Sequence, residues 1–370
     1  MSDADHMTAR AGTVQTYRTI GALREFLAAK RGADVTVGLV PTMGYLHEGH
    51  QQLIERAGAE CDVVVTTVFV NPLQFAEHED LDSYPRDPEG DCLKAGAAGS
   101  TVMFVPAPEE MYPDGADAVA TTVSVAGFGS GMEGASRPTH LAGVCTVVAK
   151  LFNIVGPCRA YFGEKDYQQL ASITAMVEDL SFPVQVVGCE TSREPDGLAR
   201  SSRNAYLSAE ERQVAPVLHE ALCLGARLVI EGETDPVVVR EGMAGLIGDA
   251  PLCELDYVEV VDGVTLQPVT SADATSRLFG AMRLGRARLI DNIAVSEVAG
   301  APSDGATRRT GPLLLSGEEQ GRATVPADPP RPRRARPAGG RIGRRRSLRG
   351  RSGCHRGRHA HGSDHQGGPR

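Results

Sequence analysis

Tryptophan is absent from the 370 residues, aromatics make up only 5% of them, and no apolar run approaches the roughly 18–20 residues that a membrane span needs. These absences argue against an integral membrane protein. The stretch Met1 to Thr19 is polar and lacks the basic start, apolar middle and small-residue cleavage site of a secretory signal. A cytoplasmic location is therefore expected. Eight cysteines are present, but no two form a C-x-x-C pair, so they are expected to be reduced core residues and a zinc site has no support. There is no internal repeat. Neither a Walker-type G-x-x-x-x-G-K-[ST] nor a G-x-G-x-x-G after a first strand occurs, and no Ser-His-Asp or Cys-His arrangement stands out.

The formal net charge of -9 hides a composition break. Residues 301–370 hold 16 Arg, no Lys and five acids, a balance of +11, which leaves 22 basic and 42 acidic side chains, or -20, on the first 300. The Arg-, Gly- and Pro-rich stretch has few large apolar residues after Leu315, so a disordered basic tail is expected. Either an unselected extension or an arginine-mediated nucleic-acid or membrane-surface attachment fits that composition, and the former fits better.

The body alternates strand-like and helix-like segments. Strands are expected at 35–40, 63–70, 102–105, 159–162 and 184–187, and helices at 48–60, 144–155 and 166–180. The run Val63 to Val70 is apolar and β-branched throughout, as a strand buried on both faces should be. Such alternation predicts an α/β, Rossmann-like parallel sheet over residues 12–191. After Arg193-Glu194-Pro195-Asp196-Gly197 the texture changes to one long helical stretch at 209–231, a second at 237–247 and strands at 255–261 and 286–290. Residues 192–300 thus form a smaller α+β C-terminal domain, and 301–370 the tail.

Ligands of parallel sheets bind at the carboxyl ends of the strands, where the polar motifs of this chain fall. Pro41-Thr42-Met43-Gly44-Tyr45-Leu46-His47-Glu48-Gly49-His50 follows a strand and opens a helix. A helix start offers backbone N–H groups and positive dipole to an anion. The spacing predicts that His47 and His50 share one helical face, with Gly49 letting a ligand approach closely. A second strand-to-helix junction carries Gly163-Glu164-Lys165-Asp166-Tyr167-Gln168-Gln169, where Lys165 can neutralise phosphate oxygens and Asp166 can accept from ribose hydroxyls or cap the helix. Arg200-Ser201-Ser202-Arg203 suits a phosphate clamp. Asn71-Pro72-Leu73-Gln74-Phe75 offers neutral amides to a small polar substrate.

These motifs, with Tyr-Pro-Arg at 84–86, Met-Tyr-Pro at 111–113, Arg-Pro-Thr-His at 137–140 and Arg-Glu-x-Asp-Gly-Leu-Ala at 193–199, resemble the pantothenate synthetase (pantoate–β-alanine ligase) family over about 13–299. That family belongs to the nucleotidyltransferases with an H-x-G-H signature. The resemblance implies ligation of pantoate and β-alanine through a pantoyl adenylate, with ATP as substrate and Mg²⁺ travelling with it. It implies catalytic roles for His50 (a proton donor), His47, Lys165 and Arg203. It places ATP on Met43 to His50, Gly163 to Asp166, Ser192 and Arg200 to Arg203, pantoate on Gln74 and Gln169, and β-alanine at Gln74. Asp87 and Asp91 become candidate outer-shell partners of the ion. A homodimer is implied by the family only.

Three positions depart from the family pattern. Ser192 stands where Val or Ile is usual, Arg200 where Leu or Met is usual, and Leu141 where Phe is usual. Losing one apolar contact costs ~1–3 kcal/mol, so Arg200 predicts weaker adenine packing and a raised ATP requirement. Two other readings stay open at this level: another H-x-G-H nucleotidyltransferase such as a cytidylyltransferase, and a nucleic-acid-binding protein acting through the tail.

Overall fold

The structure, a computed structural model, describes residues 14–31, 35–76, 79, 81–128 and 131–298. The basic tail expected at 301–370 lies outside the described residues. In chain order the elements are β1 (Gln15–Tyr17), α1 (Ile20–Lys30), β2 (Val37–Thr42), α2 (Glu48–Glu60), β3 (Val63–Val68), α3 (Pro88–Ala97), β4 (Val102–Phe104), α4 (Pro108–Met111), α5 (Glu133–Ser136) and α6 (His140–Val155). They continue with β5 (Cys158–Gly163), α7 (Tyr167–Asp179), β6 (Val184–Cys189), α8 (Ala209–Val214), α9 (Val217–Ile230), α10 (Pro236–Gly248), β7 (Cys253–Asp262), β8 (Ser276–Leu284), β9 (Ala287–Ala294) and α11 (Val295–Val298).

Six parallel strands form one sheet in the order β1-β4-β3-β2-β5-β6. Alternate residues of each central strand feed opposite faces. Leu39, Val65 and Phe104 pack with α1, α6 and α7 on one side. Val40, Val64 and Met103 pack with Leu53, Ile54 and Ala57 of α2 on the other. Burial on both faces is why these strands read as continuous apolar runs. Strand order reverses between the neighbours β2 and β5, and the loops leaving their carboxyl ends diverge there. That switch point opens the crevice that positions the site.

Three antiparallel strands, β7-β8-β9, form the second sheet, covered by α9 and α10 through Leu218, Leu222, Val239 and Met243. The single helix expected at 209–231 is instead two, broken at Ala215 and Pro216, where the ring removes the N–H that a continuing helix needs. By length and composition Ala209–Ile230 could cross a membrane. Its apolar side chains, however, build the core beneath this sheet. The sequence pattern gives no sign of β1, α1, α3, α4, α5, β8 or α11; α2 has the expected bounds, and the other expected elements occur with shifted ends.

Candidate active site

The stretch 43–47 turns sharply between β2 and α2. Gly44 has φ 88° and Tyr45 φ 52°, a left-handed conformation that is strained for a tyrosine. Asp91 of α3 holds the turn: its buried carboxylate accepts from the backbone N–H of Tyr45 at 2.9 Å and of Leu46 at 2.6 Å. Lys94, one turn along, donates to Leu46 O at 2.8 Å. Asp87 caps α3 by accepting from Gly90 N–H. Asp87 and Asp91 are therefore spent on backbone groups and neither lines the crevice, which corrects their expected place beside an ion.

His47 and His50 do not share a helical face. His47 is the N-cap of α2, in extended conformation, and His50 is the third helical residue. The two close a capping box, with His47 Nδ1 accepting from Gly49 N–H at 3.2 Å and His50 Nδ1 accepting from His47 N–H at 3.3 Å. The rings lie 4.0 Å apart. A Cβ at Gly49 would stand 3.0 Å from the His47 ring and 3.3 Å from Ser192 Cβ, so this glycine makes room for the imidazole. Burial first, then His50, Lys165 and Arg200, lowers the His47 pKa to about 2, against a weaker opposing pull from Asp166. Burial, then Lys165 and Lys94, lowers His50 to about 4. Both rings are neutral at neutral pH, and because Nδ1 accepts, each proton stands on Nε2. The histidines thus consume part of the helix's backbone donors and offer Nε2–H in their place.

Lys165 sits in a short 3-10 turn, Glu164–Asp166, at the end of β5. Asp166 makes no side-chain cap to α7, contrary to one expectation; its carboxylate stands 3.5 Å from Lys165 Nζ. Gln74 is buried, donates to Met43 Sδ and accepts from Asn71 Nδ2 at 3.2 Å. Asn71 itself is scaffold rather than contact. It also donates to Gly143 O and accepts from Tyr112 OH, and it does not face the crevice. In the third motif Ser201 caps the turn Ser202–Tyr206, and Ser202 Oγ donates to Tyr45 O at 3.4 Å. Arg200 pairs with Glu48 at 2.7 Å and Glu194 at 2.8 Å.

A cavity of about 850 Å³ gathers Met43, His47, Gly49, His50, Gln74, Gly163, Lys165, Asp166, Gln169, Ser192 and Arg200 to Arg203. Of the residues expected at the site, Gly44, Tyr45, Leu46, Glu48 and Glu164 do not line it; Leu46 is buried beneath the turn and Glu164 leans toward Arg277. Leu141 does line it. Further side chains, not among the expected site residues, line the cavity. Glu133 of α5 takes a bidentate pair from Arg288 of β9 at 2.7 and 2.8 Å and a hydrogen bond from Tyr257 OH. Arg137 grips Glu79 with two donors and also reaches Gln74 O, which His140 Nδ1 approaches at 3.0 Å. Arg137 and His140 belong to the Arg-Pro-Thr-His motif at 137–140, whereas Glu133, Arg288 and Tyr257 have no local signal. Among the described residues no group of three or more His, Cys, Asp or Glu could hold a metal ion. The cavity accordingly suits a ligand that brings its own anionic oxygens to neutral imidazoles and a lysine, beside fixed amides.

The sequence model of the Pantoate-beta-alanine ligase family matches residues 15–294. The chain is 49% identical over 280 residues to a pantothenate synthetase of Moorella thermoacetica, covering 76% of this chain and 98% of that one. It superposes with a TM-score of 0.71 on the crystal structure of a pantothenate synthetase from Thermus thermophilus, 47% identical, over 76% of this chain and 99% of the other. The pantoate–beta-alanine ligase from Francisella tularensis, solved with beta-gamma ATP and beta-alanine, gives a TM-score of 0.63 at 29% identity, over 77% and 98% of the two chains. With its motifs gathered around one crevice and its relatives matched along nearly their whole length, this chain belongs to the pantoate–beta-alanine ligase family.

Proposed function

We propose that the chain condenses pantoate with β-alanine in two steps within this cavity. A pantoate carboxylate oxygen attacks the α-phosphorus of ATP, forming the acyl–phosphate bond and expelling pyrophosphate. The β-alanine amine then attacks the acyl carbon, loses a proton, and AMP leaves with the bonding pair. Activation is needed because an oxide is a poor leaving group and AMP a good one. Positioning and charge stabilisation carry such chemistry, and no protein nucleophile is required.

In this reading the Nε2–H groups of His47 and His50 donate to the phosphates, and Lys165 stabilises the charge that builds as pyrophosphate departs. A bound polyphosphate raises both imidazole pKa values, which favours His50 as a proton donor in the loaded enzyme. Ser201, Ser202 and Arg203 close on the phosphates, while Ser192 and Arg200 border the base. Gln74 and Gln169 hold pantoate, and Gln74 also faces β-alanine. Mg²⁺ enters with ATP, held by phosphate oxygens and water, and Asp166 beside Lys165 is the carboxylate suited to its outer shell. We read residues 12–191 and 192–300 as two domains and the protein as cytoplasmic, on the sequence features given above, and as a homodimer on family likeness alone.

One observation carries the proposal: two neutral imidazoles, Lys165 and two glutamines face a single cavity at the sheet's switch point. The Francisella tularensis relative, solved with beta-gamma ATP and beta-alanine, supports it. An assay of AMP formation tests it. AMP should appear with ATP only when pantoate and β-alanine are both present; AMP released without pantoate, or turnover with CTP in place of ATP, contradicts it.

A further inference from the structure

Asp291 and Asn292 are adjacent on β9, in the second sheet, and both are buried. Two polar side chains inside a strand need partners, because each unpaired buried group costs about 1–3 kcal/mol. Asp291 takes Arg193 bidentately at 2.6 and 3.0 Å, and so grips the loop that leads into Arg200 to Arg203. Asn292 reaches the other way. Its Nδ2 donates to Glu164 O at 2.9 Å and to Lys165 O at 2.8 Å.

The orientation of the Asn292 amide follows from chemistry. Arg277 donates to Asn292 Oδ1, and a guanidinium has no acceptor, so the oxygen must face Arg277 and the NH₂ the two carbonyls. Arg277 is itself locked, with its guanidinium 3.7 Å from the centroid of the Tyr167 ring and 3.3 Å from Glu297 Oε1. The second sheet therefore fixes the backbone of the lysine turn through one preset amide.

We propose that Asn292 is a positioning residue that acts through Lys165: by holding the carbonyls of residues 164 and 165 it aims the lysine at the phosphates, while Asp291 sets the facing loop. This rests on the role given to Lys165 above. A side chain aimed by a backbone clamp works only when the clamp is made, since small displacements remove much of a positioned group's effect.

A double-mutant cycle with Lys165 tests this, read as single-turnover, pantoate-dependent pyrophosphate release. Asn292→Ala should slow release about 10–100-fold, with the KM for pantoate within about twofold. Asn292→Asp, which keeps the Arg277 partner but turns an oxygen toward the carbonyls, should slow it similarly and provides a second folded variant. On a Lys165→Ala background neither change should cost more than about twofold, because the group they aim is gone. Equal losses in both backgrounds would show a merely structural role and overturn the proposal. Near-normal release by Lys165→Ala alone would instead overturn the reading of Lys165, and the clamp with it.

Discussion

His50 accepts the backbone N–H of His47 through Nδ1 while the two rings lie 4.0 Å apart, so the capping of α2 and the presentation of two Nε2–H donors are one structure. Removing either ring therefore has two consequences, a lost ligand donor and a half-open cap.

For the chemistry the donor dominates. His50→Ala and Lys165→Ala should each lower turnover by ~10²–10³-fold, as loss of one charge-stabilising donor does elsewhere. The helix start should lose only ~0.5–2 kcal/mol with His50→Ala, as for a lost cap. Steady-state kinetics beside thermal unfolding separates the two. Near-normal adenylate formation in both variants would contradict the assigned roles.

Asp87 caps α3 while Asp91, one turn along it, holds the 43–47 turn, so the two should behave differently. Asp91→Asn sets an NH₂ against one of the two backbone N–H groups of the strained turn, which should cost about 1–3 kcal/mol of stability. It should also reduce turnover at least about tenfold, since the turn carries His47. Asp87→Ala should cost ~0.5–2 kcal/mol as a lost helix cap and leave turnover unchanged. Melting curves and kcat for the pair give the comparison.

Arg200 is held by Glu48 and Glu194 at the cavity wall, where the resemblance leads one to expect an apolar residue. Arg200→Met should restore an apolar contact to the base worth ~1–3 kcal/mol, lowering the KM for ATP with kcat unchanged. The broken ion pairs should cost ~0–1 kcal/mol each. An unchanged or higher KM would show that the guanidinium itself serves the nucleotide.

The histidines give stability opposite slopes on the two sides of neutrality. His47, His50 and His140 have folded pKa values of about 2, 4 and 4, below the ordinary 6.5, each mainly through burial. The unfolded chain binds their protons first, so stability is complete above pH 6.5 and falls as pH drops toward 4. His219 runs the other way. Asp291, whose carboxylate stands 3.6 Å from its Nδ1 as an ion pair, and then Cys223 raise it to about 9. Its contribution is complete below 6.5 and lost as pH rises through about 9. His219→Gln should flatten the alkaline limb of a melting-temperature profile and leave the acid limb unchanged.

The central strands were legible in the sequence because burial on both faces leaves runs such as Val63 to Val68 with no charged punctuation. The two strand-to-helix junctions were legible through their glycines and charged residues. β8 was not, since Arg277 and Arg283 interrupt its apolar pattern and only the pairing with β9 brings Asn292 to satisfy Arg277. The strand read at 286–290 runs on to Ala294 because Asp291 and Asn292 find partners in other elements. Arg288 and Glu133 are 155 residues apart, and no local pattern announces such a partnership. The 47–50 spacing reads as one helical face because spacing alone cannot tell an N-cap from a first turn.

Activation of pantoate as an adenylate in this cavity, before β-alanine acts, is the central claim. Exchange of labelled pyrophosphate into ATP by the purified protein tests that claim most directly. Exchange should require pantoate, proceed without β-alanine, and fall by ~10²–10³-fold in Lys165→Ala. Exchange that is absent with pantoate, or that appears only when β-alanine is added, would contradict it.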